Sequence, residues 1–254
     1  MTNIILCGCG GKMGQAIVRA TEGKNNVRIL AGVDVNADGL ASVCSFPIYQ
    51  KISDFTEKAD VIIDFSHHSA LPSLVSYAVT TGTPLVVCTT GHTDEEKALM
   101  HSAAEKVAVF SSGNMSIGIN LLMELCKTAA ATLGVSFDVE IVEKHHNQKL
   151  DAPSGTALMI ADAIKSQRES TEYVYDRHTE RRKRSTDEIG IHSIRGGTIV
   201  GEHEVIFAGN NETITLTHTA SSREIFANGA LRAAEYLAGK GAGFYDMSDV
   251  INAR

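Results

Sequence analysis

The residues best suited to chemistry lie in one run, 143–156, which reads EKHHNQKLDAPSGT. It contains two adjacent histidines, His145 and His146, and a lysine, Lys149. Histidine titrates near neutral pH and is the usual general acid, and lysine is an acid or a cationic anchor for a carboxylate. If the backbone is extended, His145 and Lys149 share one face and His146 takes the other. The run predicts proton-coupled chemistry on a small anion.

The end of this run predicts the start of a helix over residues 155–167. Pro153 biases the residue before it toward extended backbone, and Ser154 is a favoured N-cap. Gly155 and Thr156 would then offer backbone N–H groups and a hydroxyl to an anion. Because glycine is unfavourable inside a helix, its presence favours anion binding over an ordinary capped helix.

The paired histidines also allow a metal site as an alternative. No third ligand has a suitable spacing, and the five cysteines form no Cys-x-x-Cys pair. Structural zinc sites are recognised by such spacings. We therefore expect no metal.

A glycine-rich loop, residues 8–14 with the sequence GCGGKMG, follows the predicted first strand and precedes a predicted helix. Its glycines would let the backbone turn tightly and approach a pyrophosphate beside the helix N-terminus. Met13 takes the place of the third glycine of the strict dinucleotide pattern. The inference of a dinucleotide site therefore rests on the position of the loop between a strand and a helix. Asp34 follows Gly14 by twenty residues, the spacing expected for an acid that binds ribose. The loop predicts a dinucleotide cofactor.

Asp34 also bears on which cofactor binds. Its carboxylate would accept hydrogen bonds from ribose hydroxyls and repel a 2′-phosphate. Val35 and Asn36 supply no arginine for that phosphate, although Lys12 could act as a compensating cation. NADH is therefore favoured over NADPH.

Two further loops are predicted to lie near the cofactor. Residues 88–91 (CTTG) follow one predicted strand, and residues 111–115 (SSGNM) follow the next. Doubly wound sheets bind ligands at the carboxyl ends of their strands. Small and hydroxyl side chains there would let the nicotinamide ribose and ring approach the backbone, although ordinary loop composition explains them equally well.

The elements that must position these residues follow two patterns. Up to residue 114, short continuous apolar runs alternate with helical patterns, as in a parallel sheet covered on both faces. Later strands alternate apolar and polar residues, which indicates a mixed or antiparallel sheet with one covered face. We predict an α/β chain with a Rossmann-type, doubly wound domain at 1–114 and an α+β domain at 115–254. The last helix, at 224–237, could pack on the first domain.

Composition limits the partners. A formal net charge of −7 gives no general attraction to nucleic acid or to an anionic membrane. The basic run at 177–184 contains Glu180 and precedes two acids, so it is interpreted as a solvated loop rather than a binding patch. The sequence has neither a basic leader nor a segment long enough to span a bilayer. We expect a cytoplasmic protein with reduced cysteines.

These motifs and several others together resemble one family. The chain carries, in order, the glycine loop, VCTTG, NMSIG, the run EKHHNQKLDAPSGTA, RGG, GEH and SSREIFANGA. This order is similar to that of the 4-hydroxy-tetrahydrodipicolinate reductases of the diaminopimelate route to lysine. The resemblance covers essentially the whole chain, and the histidine–lysine run is its most specific part.

The resemblance implies a reaction and a set of roles. Enzymes of this family reduce a cyclic, unsaturated imine dicarboxylate with NADH or NADPH and release water. His145 would be the proton donor, and Lys149 would bind and polarise the substrate. The implied substrate contacts are His146, Ser154, Gly155 and Thr156. The implied cofactor contacts are Gly8, Cys9, Gly10, Gly11, Lys12, Met13, Asp34, Cys88, Thr89, Thr90, Ser112, Gly113, Asn114 and Met115.

The resemblance also bears on assembly and on the backbone of the run. Members are commonly homotetramers joined through the sheet of the second domain. A substrate contact from His146, beside that from His145, implies that the strand twists or bulges after Glu143.

The chain departs from the family pattern at a few positions. Val35 stands where many members carry an arginine for the 2′-phosphate, so the cofactor preference stays open. Met115 stands where some members have an aromatic residue, and Asn147 and Gln148 stand where others are more basic.

Two other functions are compatible with part of the sequence. A related two-domain dehydrogenase of another small acid, an amino acid or a sugar would share the glycine loop but has no reason to carry the histidine–lysine run. A dinucleotide-sensing binding protein would keep the fold without turnover, and it would not need His145 together with Lys149.

Overall fold

The computed structural model describes residues 1–40, 44–179 and 181–253. The chain divides into two compact units. Unit 1 comprises Met1–Ser116 and Arg223–Arg254, and unit 2 comprises Ile117–Ser222. No helix among the described residues is both long enough and apolar enough to cross a membrane.

Unit 1 is built on a parallel sheet. Its seven strands are β1 (Thr2–Cys7), β2 (Val27–Val33), β3 (Ile48–Tyr49), β4 (Val61–Asp64), β5 (Leu85–Val87), β6 (Ala108–Ser111) and β12 (Gly243–Tyr245). Their order in the sheet is β12-β6-β5-β4-β1-β2-β3. The helices of the unit are α1 (Lys12–Thr21), α2 (Ala37–Leu40), α3 (Leu71–Thr81), α4 (Asp94–Ala104), α7 (Glu224–Leu237) and α8 (Met247–Asn252).

Apolar residues cover both faces of this sheet. Ile4 and Leu6 of β1 join α1 and α7 in one buried cluster, while Ile5 joins α3 and α4 in a second. A strand buried on both faces reads as a continuous apolar run, as predicted. The chain order reverses beside β1, which lies between β2 and β4. Ligands of such sheets bind at the carboxyl ends of the strands at that point.

Unit 2 is built on a mixed sheet. Its strands are β7 (Asp138–His145), β8 (Glu172–Val174), β9 (Glu188–Arg195), β10 (Gly201–Ala208) and β11 (Thr213–Ala220), in the order β11-β10-β7-β9-β8. The helices α5 (Ile117–Leu133) and α6 (Gly155–Lys165) pack with the sheet around one apolar cluster. Alternate residues of β7 and β10 are buried, so only one face of the central strands is covered. The parallel sheet and the mixed sheet agree with the predicted fold class.

The C-terminal segment belongs to unit 1. The sequence pattern placed residues 115–254 in one domain, whereas residues 223–254 cluster with the first unit. The reason is the buried face of α7, where Ala227, Ala230 and Leu231 lie in the same apolar cluster as β1 and α1. The packing of α7, which the sequence left open, is therefore with unit 1.

Candidate functional site

The glycine-rich loop connects β1 to α1 and is shaped by its lack of side chains. Gly8 has φ +73°, and a Cβ there would overlap the carbonyl group of Phe65. A Cβ on Gly14 would overlap the carbonyl oxygen of Gly8. Gly11 is the N-cap of α1 and provides no side-chain cap. The loop therefore presents backbone N–H groups at a helix N-terminus, which suits a pyrophosphate.

Asp34 follows β2 and faces the same loop. Its Oδ2 accepts a hydrogen bond of 2.9 Å from the N–H of Gly10, and its Oδ1 accepts one of 3.0 Å from Asn36. A cavity of about 1110 Å³ lies beside these residues and is lined by Gly8, Gly10, Gly11 and Asp34, among others. This volume slightly exceeds that of ordinary ligand sites, which run from about 300 to 1,000 Å³. The loop, the carboxylate and the cavity fit the adenosine half of a dinucleotide.

The other predicted cofactor residues lie in three places in unit 1. Lys12 and Met13 begin α1. Cys88, Thr89 and Thr90 follow β5, and Ser112, Gly113, Asn114 and Met115 follow β6. Because β5 and β6 are parallel neighbours, both loops lie at the carboxyl edge of the sheet.

Three of the predicted contact residues are buried in the core. All of them belong to the apolar cluster that contains β1 and α7: Cys9, Cys88 and Met115. Any contact from them to a cofactor is therefore made by the main chain. The Asn114 side chain instead accepts a hydrogen bond of 2.8 Å from the N–H of Ser116 and fixes the turn after β6.

In unit 2, the buried face of β7 carries a glutamate and a histidine. Glu143 and His145 are 0% and 8% exposed, and Oε2 of Glu143 lies 2.5 Å from Nδ1 of His145. Arg195 of β9 donates to both oxygens of Glu143, at 2.7 and 2.8 Å. The N–H of Ser154 donates to Oε1 at 3.1 Å. The Glu143 carboxylate therefore stands at the centre of a hydrogen-bond network that joins His145, Ser154 and Arg195.

This network sets the charge of its members. Burial raises the pKa of Glu143, but hydrogen bonds from Arg195, Ser193 and His145 outweigh it and lower the pKa to about 2. The carboxylate is therefore ionised at neutral pH. Burial lowers the pKa of His145, and the charges of Lys149 and Arg195 add to this effect against the opposing influence of Glu143. A lowered pKa makes His145 a stronger acid.

The backbone turns after His145. β7 ends at this residue, and the N–H of Lys149 donates to the carbonyl oxygen of His146 at 3.2 Å. Extended backbone does not continue to Lys149, because this turn replaces the strand. The twist or bulge expected after Glu143 is not there either, since β7 pairs regularly with β9 through His145. Nζ of Lys149 instead lies 2.8 Å from Oδ1 of Asp151.

The start of α6 is capped as predicted. Ser154 Oγ accepts the N–H of Ala157 at 3.1 Å and lies 3.1 Å from Nε2 of His203. Gly155, the first residue of the helix, is exposed, and a Cβ there would meet no atom within 4 Å. Packing therefore does not demand a glycine, and the position leaves the helix start open to a ligand. Thr156 follows it in the first turn.

Sequence reasoning missed three members of this cluster. Glu143, Arg195 and His203 appeared only as parts of motifs, yet their side chains surround His145 and Ser154. The period-two pattern of β7 was the available signal for Glu143, because residues two apart on a strand share a face. Burial and the nearby charge of His145 lower the pKa of His203 to about 4, so His203 is neutral at pH 7.

The basic run at 177–184 is more ordered than a solvated loop. Arg177 and Arg182 both donate to Glu188 at 2.5 Å, and Arg184 donates to Glu140 at 3.0 Å. Glu180 lies outside the described residues. Within the described ranges, no group of three or more histidine, cysteine, aspartate or glutamate side chains is arranged to hold a metal ion.

The chain is similar to known proteins of one family along nearly its whole length. Family models described as "Dihydrodipicolinate reductase, N-terminus" and "Dihydrodipicolinate reductase, C-terminus" match residues 2–115 and 118–251. The 4-hydroxy-tetrahydrodipicolinate reductase of Caldanaerobacter subterraneus is 50% identical over 99% of this chain and 98% of its own. That of Clostridium novyi is 49% identical over the full length of both chains.

A solved structure supports the same placement. The dipicolinate-bound dihydrodipicolinate reductase of Paenisporosarcina sp. TG-14 superposes with a TM-score of 0.82 at 28% identity and covers 97% of each chain. A myo-inositol dehydrogenase of Corynebacterium glutamicum superposes with a TM-score of 0.63 at 15% identity over 99% of this chain and 92% of its own, and that likeness concerns the fold alone. The chain belongs to the dihydrodipicolinate reductase family.

Proposed function

We propose that the chain reduces 4-hydroxy-tetrahydrodipicolinate to tetrahydrodipicolinate, with loss of water, in the diaminopimelate route to lysine. The observation that carries this proposal is the buried pair of Glu143 and His145 within the family's most specific run. It stands in a chain that is 50% identical to a relative named for this reaction.

Unit 2 supplies the groups for the substrate. His145 would deliver the one proton that the net reaction takes up. Lys149, the N–H groups at the start of α6 and His146 would bind the two carboxylates and polarise the ring. The Lys149–Asp151 ion pair supports this role, because Asp151 is exposed and a substrate carboxylate can replace it as the partner of the lysine.

Unit 1 supplies the groups for a nicotinamide cofactor, which donates a hydride when bound. The start of α1 would hold the pyrophosphate, Asp34 would accept hydrogen bonds from the adenosine ribose, and the loops after β5 and β6 would hold the nicotinamide end. We infer a preference for NADH, because Asp34 repels a 2′-phosphate and the exposed residue beside it is Val35 rather than a cation.

We also propose a homotetramer joined through the sheet of unit 2. The face of this sheet away from α5 and α6 carries Val142, Ile194 and Ile206, none of which is fully buried in the single chain. The edge strand β11 also presents a row of exposed threonines. Light scattering of the purified protein would test the tetramer.

We also propose a cytoplasmic location, because the five cysteines are all free.

The proposed reaction can be tested in a coupled assay, in which a second enzyme makes the substrate. Purified protein is supplied with aspartate semialdehyde, pyruvate and the synthase that condenses them, and NADH or NADPH absorbance is followed. We expect rapid oxidation that depends on the synthase and is faster at low concentrations of NADH than of NADPH. If neither cofactor is oxidised, the assignment is wrong, and a dehydrogenase of another small acid becomes the leading alternative.

A further inference from the structure

Each of the two carboxylate oxygens of Glu143 has two hydrogen-bond partners. Oε1 accepts from Arg195 and from the N–H of Ser154, and Oε2 accepts from Arg195 and faces Nδ1 of His145. An ionised carboxylate only accepts hydrogen bonds. The 2.5 Å approach therefore requires a proton on Nδ1 of His145. Neutral His145 must then be the tautomer with Nδ1–H and with an unprotonated Nε2.

The other ring nitrogen faces a glycine. A Cβ on Gly201 of β10 would lie 3.2 Å from Nε2 of His145. A side chain at this position would crowd Nε2, whereas the glycine leaves this nitrogen as the one that would face a substrate atom. When His145 is protonated, the exchangeable proton is the one on Nε2, because Glu143 retains the one on Nδ1.

Arg195 modifies what the carboxylate does to the histidine. A lone carboxylate beside a histidine stabilises the protonated ring and weakens it as an acid. Here the guanidinium binds both oxygens of Glu143, so much of the negative charge is already compensated. The charged or titratable groups around His145 are Glu143 on its own strand, Lys149 in the following turn, Arg195 on β9 and His203 on β10.

The ion pair of Glu143 and Arg195 also contacts the start of α6, where an anion would bind. Arg195 Nη2 donates to the carbonyl oxygen of Asp151 at 2.6 Å, and Glu143 accepts from the N–H of Ser154. The acid and the start of α6 are therefore tied to one ion pair. We propose that Glu143, held by Arg195, is a positioning residue that directs the transferable proton of His145 to Nε2. This inference rests on the proposed function only for the identity of the proton acceptor.

The proton transfer is balanced as follows. The N–H bond at Nε2 breaks, the proton passes to the substrate, and His145 is left neutral with Nδ1–H still donating to Glu143. Solvent returns the proton to Nε2 before the next turnover. Glu143 and Arg195 keep their charges throughout.

The first test is the tautomer itself. In nitrogen-15 spectra of histidine-labelled protein at pH 8, with the signal assigned by its loss in His145→Gln, we expect a protonated Nδ1 and an unprotonated Nε2. In Glu143→Gln, we expect a mixture in which the Nε2–H form appears, because a neutral amide can donate as well as accept. A wild-type His145 with the proton on Nε2 would overturn the inference, whatever the substrate of the enzyme.

The second test is kinetic. Glu143→Gln should lower kcat by about 10–100-fold, the usual effect of losing an outer-shell partner, with a smaller change in substrate KM and unchanged NADH binding. Arg195→Gln should raise the pKa seen in the kcat/KM profile by about one unit, and Arg195→Lys should return it toward the wild-type value. A profile that does not move in Arg195→Gln would overturn the role of the arginine.

Glu140→Gln is the matched control. Glu140 lies on the same strand, pairs with Arg177 and Arg184 and faces the opposite side of the sheet, so its loss should affect stability without altering the pH profile. If Glu143→Gln turns over at the wild-type rate, the positioning role is wrong while the proposed reaction stands. If Glu143→Gln does not fold, the wild-type tautomer and the two arginine variants still decide the matter.

Discussion

The two candidate sites of this chain are made in different ways. The glycine loop of unit 1 works through its backbone, and its shape depends on the absence of side chains at Gly8 and Gly14. The cluster around His145 in unit 2 works through side chains, and its shape depends on an ion pair between Glu143 and Arg195. An added methyl group should therefore disable the first site, whereas loss of one charge or proton should disable the second.

The two sites should also respond differently to pH. Backbone N–H groups do not titrate in the physiological range, so dinucleotide binding at the loop should be nearly independent of pH. His145 does titrate, and its partners move its pKa. A substitution in one of the two sites should therefore leave the other unaffected.

The largest effect is expected for His145→Gln. Removing the proton donor should lower kcat by about 10²–10⁴-fold and leave NADH affinity unchanged, because His145 lies in unit 2. Coupled kinetics and NADH fluorescence titration measure the two quantities. His178→Gln, a change at an exposed histidine of the same unit, is the control and should retain wild-type rates. Wild-type turnover in His145→Gln would eliminate the proton-donor role.

The next largest effect is expected for Gly14→Ala. The new Cβ would overlap the carbonyl oxygen of Gly8, and the displaced loop should weaken NADH binding by about 100-fold, which corresponds to roughly 2.7 kcal/mol. The substrate KM at saturating NADH should change little, as the coupled assay can measure. Gly241→Ala adds a Cβ where no atom lies within 4 Å, and it should bind NADH normally. Equal NADH affinities for the two variants would show that the loop does not hold the cofactor.

The pH dependence of kcat/KM gives an effect of about tenfold per pH unit. The donor must be protonated, and burial with the charges of Lys149 and Arg195 lowers the pKa of His145 below its ordinary value. The rate should therefore fall as pH rises through a pKa below about 6.5, while NADH affinity stays constant over the same range. A decline that begins only above pH 8 would contradict this assignment.

The smallest effect is expected for Val35→Arg. An arginine beside Asp34 would supply the cation that a 2′-phosphate needs, and the ratio of kcat/KM for NADPH to that for NADH should rise by about tenfold, or roughly 1.4 kcal/mol. Because the change lies in unit 1, the substrate KM should stay constant. A ratio that does not change would place the 2′-phosphate away from Val35.

The fold and the glycine loop were predictable because their signals are local. Continuous apolar runs such as Ile4–Leu6 indicate strands buried on both faces, and a glycine loop between a strand and a helix indicates a phosphate site. The helix start at Ser154 was predictable for the same reason, since a capping residue acts within its own turn. The three-residue strands β8 and β12 gave no comparable signal.

The cluster around His145 was only partly predictable because its contacts join distant residues. Arg195 lies 52 positions from Glu143, and no local pattern pairs them. The resemblance implied a twist or bulge after Glu143, but the turn begins only after His145, where β9 and β10 stop pairing with β7. The sequence could not show which sheet α7 packs against for a similar reason, since an alanine-rich face can pack on either one.

The return of residues 223–254 to the first unit has a consequence for synthesis on the ribosome. Unit 2 is one uninterrupted segment, 117–222, and every residue it needs is available before α7 emerges. Unit 1 must wait for α7 to cover its sheet and for β12 to pair with β6. The segment translated in the middle can therefore fold first. Residues 1–116, nearly half of the chain, stay incomplete with apolar surface exposed until the last few dozen codons are translated.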